Sequence, residues 1–152
     1  MENEYNKALS SALRYLTGRD HTESETLCYL SKKGFSPASI ESVLDSCKKQ
    51  GYIDDRQFAL KWAENRSKNS SKSNMALRME LIAKGVPSDL IEEAIQTLDE
   101  TDAALAAAEK AAWRWKSLAW DEFSKKISAS LSRKGFSFET VLCTLEKLKE
   151  IR

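Results

Sequence analysis

Apolar residues recur at helical spacing along nearly the whole chain. Leu9, Ala12, Leu13 and Leu16 fall at i, i+3, i+4 and i+7, as do Ile40, Val43, Leu44 and Cys47, and Ile91, Ala94, Ile95 and Leu98. That spacing lays one apolar stripe along a helix and leaves the opposite face polar. Phe58 and Trp62 share a face, and so do Phe123, Ile127 and Leu131. No stretch alternates at period two for long enough to predict a strand. Helix ends are signalled chemically. Thr22 with Glu25, and Asp54 with Gln57, have capping-box spacing, in which side chains satisfy unpaired amides of the first turn. Gly34, Gly85 and Gly135 each follow a lysine at the end of a helical pattern, where a left-handed cap favours glycine and the helix dipole favours a cation. Pro37 and Pro87 stand in the first turn of the next helix, where a missing amide proton costs little. Nine helices are predicted, at 4–17, 22–33, 37–50, 54–68, 74–84, 87–99, 102–116, 119–134 and 137–150.

The ends of these helices repeat. Lys33-Gly34-Phe35, Lys84-Gly85-Val86 and Lys134-Gly135-Phe136 share one pattern, with glycines 51 and 50 residues apart. Leu30, Leu81 and Leu131 each stand four residues before the glycine, and similar residues follow it: Ile40-Glu41 and Leu44, then Ile91-Glu92 and Ile95, then Val141 and Leu145. A fixed period of this length marks a stacked helical repeat. The expectation is an all-α chain of three tandem three-helix repeats, 1–50, 51–99 and 100–152, forming an elongated array. Such arrays present long surfaces, so binding is the first functional expectation.

The formal net charge of +1 conceals segregation. Residues 61–84 carry 6 basic and 2 acidic side chains, 85–109 carry 0 and 7, and 110–152 carry 10 and 5. Two basic blocks flank an acidic one, which suits a partner bearing charges of both signs. A free nucleic-acid binder would show a larger basic excess. Cys28, Cys47 and Cys143 are odd in number and lack ligand spacing, which argues against a disulfide framework and a metal site. The opening residues do not read as a signal peptide and no apolar run approaches membrane-spanning length, so a soluble, cytoplasmic, monomeric protein is expected.

At this point the residues resemble one family, RecX, the bacterial regulators of the RecA recombinase. Leu13 through Arg19-Asp20-His21-Thr22-Glu23, with Glu25 and Leu27, is similar to the family's opening signature. Gly51-Tyr52-Ile53-Asp54-Asp55-Arg56-Gln57-Phe58-Ala59 is similar to its best-known motif. Arg78, Glu80-Leu81 and Lys84-Gly85-Val86 resemble the second-unit pattern, and Leu131 with Arg133-Lys134-Gly135-Phe136-Ser137 the third. Ser73-Asn74 departs from the family, which usually has glycine before the helix carrying Arg78. The resemblance implies tandem three-helix repeats in a curved arrangement. It also implies a protein that is not an enzyme, binds RecA and its filament on single-stranded DNA, and lowers strand exchange and ATP hydrolysis. No cofactor is implied. The alternative is a direct DNA-binding protein built of tandem helix-turn-helix-like bundles.

Catalytic readings find little support. The one histidine, His21, precedes a cap and reads as a hydrogen-bonding residue rather than a base. Asp54 and Asp55 lie about 100° apart on a helix and do not converge on one point, so capping explains them better than a metal. For binding, Arg66, Lys68, Lys72 and Arg78 form the first candidate block, with Arg78 expected to be exposed. The stretch 67–74 reads either as a mobile loop or as a phosphate-binding segment. Lys125, Lys126, Arg133 and Lys134 form a second block, in which Lys126, Arg133 and Lys134 fall close in angle on the predicted eighth helix. Either block could equally be a solvated face. Phe35, Phe58, Trp62, Phe123 and Phe136 are predicted core, whereas Trp113 and Trp115 cannot both face inward.

Overall fold

A computed structural model of the chain describes residues 3–152, and every regular element among them is helical. The α-helices are α1 (Glu4–Gly18), α2 (Glu23–Lys32), α3 (Pro37–Lys49), α4 (Asp55–Ser70), α5 (Asn74–Ala83), α6 (Ser88–Gln96), α7 (Thr101–Ala112), α8 (Trp120–Arg133) and α9 (Phe138–Ile151). They follow the predicted spans closely, because the caps are those the sequence announced. Thr22 and Glu25 complete both halves of a capping box on α2, and Asp54 Oδ1 accepts from the Gln57 amide on α4. Every third junction is a Lys-Gly turn, after α2, α5 and α8.

Three segments differ from expectation. The stretch 67–74 is not a loop: α4 continues to Ser70 and only 71–73 lie between α4 and α5. Three i, i+4 pairs carry that last turn. Lys68 pairs with Glu64, Asn69 with Asn65, and Arg66 with Ser70. The connection holds one left-handed residue, Ser71 (φ 52°), and Asn74 opens α5. The helix predicted to reach 116 ends at Ala112, and Trp113–Trp115 form one turn of 3-10 helix. Tightening that turn places Trp115 against the core while Trp113 stays 69% exposed. Finally, α6 stops at Gln96, short of the predicted 99.

The chain forms two compact units. One contains the residues up to Lys61 together with Leu81–Glu92, the other Trp62–Glu80 with Glu93–Arg152. In the first, Ala8, Ala12 and Leu16 of α1 meet Leu30 of α2 and Ile40, Val43, Leu44 and Cys47 of α3. In the second, the alanine face of α7 lets α8 and α9 approach closely, so Phe123, Ile127, Leu131, Phe136, Val141 and Leu148 close over it. Of the aromatics predicted as core, Phe58, Phe123 and Phe136 are buried; Phe35 and Trp62 are half-buried.

Each unit contains a helix-end joint of the same design. In the first, the N-cap hydroxyl of Thr22 accepts from the Glu25 amide (3.1 Å) and donates to the Lys84 carbonyl (2.7 Å). In the second, the Ser73 hydroxyl accepts from the Ala76 amide (3.0 Å) and donates to the Lys134 carbonyl (2.7 Å). A carboxylate completes each joint. The Glu23 amide donates to Asp55 Oδ1 (2.9 Å), and the Asn74 amide donates to Glu100 Oε2 (2.9 Å). The groups consumed are those that helix ends leave unpaired: first-turn amides and last-turn carbonyls. Gly85 allows the close approach, since a Cβ there would fall 2.3 Å from the Ser24 Cβ.

Candidate interaction surface

The predicted basic residues divide into three groups. Arg66 is committed internally. Its Nε and Nη2 hold Glu80 Oε1 and Oε2 at 3.0 and 2.8 Å, its Nη1 reaches Ser70, and its guanidinium lies 5.7 Å from the Trp62 ring centroid. The Trp62 indole also donates to Glu80 Oε1 (3.0 Å). The Arg66 hydrogen bond, aided by that of Trp62, outweighs burial and holds the Glu80 carboxyl below its ordinary value. Lys68 pairs with Glu64 on the surface of α4 (3.1 Å). Arg78, expected to be exposed, is half-buried.

Lys125, Lys126 and Arg133 stand exposed on α8. Lys134, also exposed, is the C-cap of α8. Together with Lys72 it lines a cavity of about 210 Å³. Lys110, which sequence reasoning passed over, is a third lysine at the same cavity, and Ser70, Ser71 and Ser73 add hydroxyls. Among the described residues, no carboxylate lines it. Of the eight predicted residues, then, the fold unites Lys72 and Lys134 and assigns Arg66 to an internal pair. The only signal for Lys110 was its place at the end of the acidic gap.

The corresponding place in the first joint is electrostatically closed. Glu25 lies between Lys84 Nζ (3.2 Å) and His21 Nδ1 (3.4 Å, within ion-pair range but not aligned as a hydrogen bond). Burial raises the Glu25 carboxyl, yet the Thr22 amide and the Lys84 ammonium outweigh it, and its pKa is lowered overall. His21 is buried and stacks on Tyr15 at 3.7 Å between centroids; burial, then the Arg19 charge, lowers its pKa. Asp55 is held up by burial, against the Glu23 amide hydrogen bond.

An apolar feature also went unread. Met75, Met79 and Ile82 are all more than half exposed and fall at i, i+4 and i+7 along α5. They form an apolar stripe on the face opposite the buried Leu77 and Leu81. Among the described residues, no cluster of three metal-ligating side chains occurs and no helix is long and apolar enough to cross a membrane.

Three family models match the chain in succession: the first three-helix domain of RecX at residues 8–47, the second at 54–95 and the third at 99–145. The chain belongs to the RecX family. It is 33% identical over 145 residues to the regulatory protein RecX of Chlorobaculum tepidum, covering 95% of this chain and 90% of that one. It is 35% identical over 144 residues to the RecX of Bacillus licheniformis, covering 93% of this chain but only 55% of that protein. The chain thus spans about half the length of some curated RecX relatives and nearly the whole of others. The crystal structure of RecX from Lactobacillus salivarius superposes with a TM-score of 0.90 at 22% identity, covering 96% of this chain and 97% of that one, a likeness of fold. The Lys-Gly turns and capping hydroxyls described above therefore lie within a RecX fold.

Proposed function

We propose that this RecX chain is a non-catalytic regulator that binds RecA and its filament on single-stranded DNA, lowering ATP hydrolysis and strand exchange. The observation that carries the reading is the unbroken succession of three RecX domain matches along the chain, with relatives named as regulatory proteins. In this reading the three repeats, 1–50, 51–99 and 100–152, bridge successive RecA subunits. Exposed Lys125, Lys126 and Arg133, with Lys72 and Lys134, meet the DNA backbone or acidic protein groups, while the acidic segment around α6 meets basic ones. The α5 stripe of Met75, Met79 and Ile82 supplies adaptable apolar contact, for which methionine is suited. Bridging resists the closure that nucleotide hydrolysis needs.

The test is RecA ATPase on single-stranded DNA with increasing amounts of the chain. A falling rate at substoichiometric to equimolar protein is expected; an unchanged rate at several-fold excess over filament sites refutes inhibition. Direct DNA binding is the second reading, favoured by the lysine-lined cavity. A sequence-dependent gel shift without RecA would support it over the first.

A further inference from the structure

We propose that the cavity bounded by Lys72, Lys110 and Lys134 is a phosphate-binding site. The two joints share one register, so their residues can be compared position by position. Thr22 corresponds to Ser73 and Lys84 to Lys134, as their matching hydroxyl-to-carbonyl bonds show. By the same offset His21 corresponds to Lys72 and Glu25 to Ala76. In the first joint the Glu25 carboxylate occupies the place between His21 and Lys84, and the joint carries its own anion. In the second, both flanking positions hold lysine, and the position of the anion holds a methyl group that lines the cavity.

By this correspondence Ala76 stands where the first joint has a carboxylate, and Lys110 is a third lysine lining the cavity beside it. Three lysines thus line one recess, and none of the other residues that line it carries a balancing negative charge. The acid that also feels the Lys72 charge, Glu80, has both oxygens taken by Arg66. A singly charged carboxylate would balance one lysine; a tetrahedral oxyanion offers more charge and several acceptors, and lysine binds phosphate as a point charge. Ser70 accepts from Arg66 Nη1 and so keeps its own hydroxyl proton to donate. The proposal depends on the filament reading for the source of the phosphate, a single-strand backbone, but not for the chemistry of the site.

The experiment uses the full chain and two probes at constant ionic strength, inorganic phosphate and a short homopolymeric single-stranded oligonucleotide, followed by amide chemical shifts. Phosphate should shift the Ser71, Ala76 and Lys110 amides saturably. Ala76→Glu, which restores the carboxylate of the first joint at a helix N3 position suited to it, should weaken that response about tenfold or more. Lys110→Gln provides the same readout should the glutamate disturb packing. Loss of oligonucleotide binding in the same variants assigns the site to backbone phosphates; loss of the phosphate response alone assigns it to free phosphate or a nucleotide. No saturable shift with either probe, or a response that both variants leave intact, overturns the site. RecA ATPase inhibition measured in parallel separates the two failures: inhibition without any phosphate response removes the cavity and leaves the regulatory reading standing.

Discussion

Gly85 lies so tightly against Ser24 that a Cβ on its backbone would fall 2.3 Å from the serine Cβ and 2.4 Å from its hydroxyl oxygen. Gly34, at the equivalent Lys-Gly turn, has a similar positive φ (91° against 81°) and nothing within 4 Å of that point. Two effects that usually travel together are thus separated within one chain. Gly34→Ala should cost only left-handed strain, about 1–2 kcal/mol. Gly85→Ala adds a collision with backbone-anchored atoms and should cost about 3–5 kcal/mol. Equal shifts of the urea midpoint for the two would refute the joint geometry.

Glu100 is the most heavily used acceptor of the second joint. It receives the Asn74 amide (2.9 Å), the Ser137 amide (3.2 Å) and the Thr140 hydroxyl (2.9 Å) while only 9% exposed. Glu100→Ala would strand two first-turn amides at once, a loss of about 2–4 kcal/mol. Glu100→Gln keeps an acceptor and should lose less. Hydrogen exchange at Asn74 and Ser137 checks the mechanism: protection there should fall more than at the α3 core.

Acid should loosen the first joint in two stages. His21 has an ordinary value of 6.5 that the fold lowers, so the unfolded chain binds the proton more readily. Its contribution is complete above pH 6.5 and is lost as pH falls through the lower folded value. Glu25, lowered from 4.5, contributes fully above that pH and is lost as pH falls through its own folded value. The contribution of these two groups should be flat between pH 7 and 8 and decline on acidification. His21→Phe retains the Tyr15 stack and should remove the upper stage alone; an unchanged pH profile in that variant would be the contrary result.

Reversing charge should separate binding from folding. Arg66→Glu breaks a bidentate, part-buried pair and should cost about 2 kcal/mol. Lys126→Glu and Arg133→Glu alter exposed side chains and should change stability by less than about 0.5 kcal/mol. Affinity for the RecA filament should nevertheless fall in the latter pair, and fall less at high salt. Thermal unfolding beside filament co-sedimentation distinguishes the two effects. Undiminished affinity in the double variant would move the contact off α8.

The helices and their caps were legible because each is written in neighbouring residues: the stripe of Leu9 to Leu16, the Thr22–Glu25 box, the lysine before each glycine. The joints were not, although half of each was in view. Thr22 and Ser73 stand 51 residues apart, but what they bind is the carbonyl of Lys84 and Lys134, and a carbonyl has no letter in the sequence. Asp55 read as a second cap beside Asp54; its carboxylate instead reaches the Glu23 amide, 32 residues back. The basic blocks were read by proximity in sequence, which grouped Arg66 with Lys72. Helix α4 turns Arg66 toward Glu80, and chain reversal brings Lys72 to Lys134. Pairings so distant cannot be inferred from helical period alone.

Because a hydroxyl grips a peptide oxygen at each joint, the two partners are unequal in what evolution can vary. Any residue supplies the oxygen, and serine or threonine serves as the hand that holds it. Most surrounding letters can then drift while the grip endures.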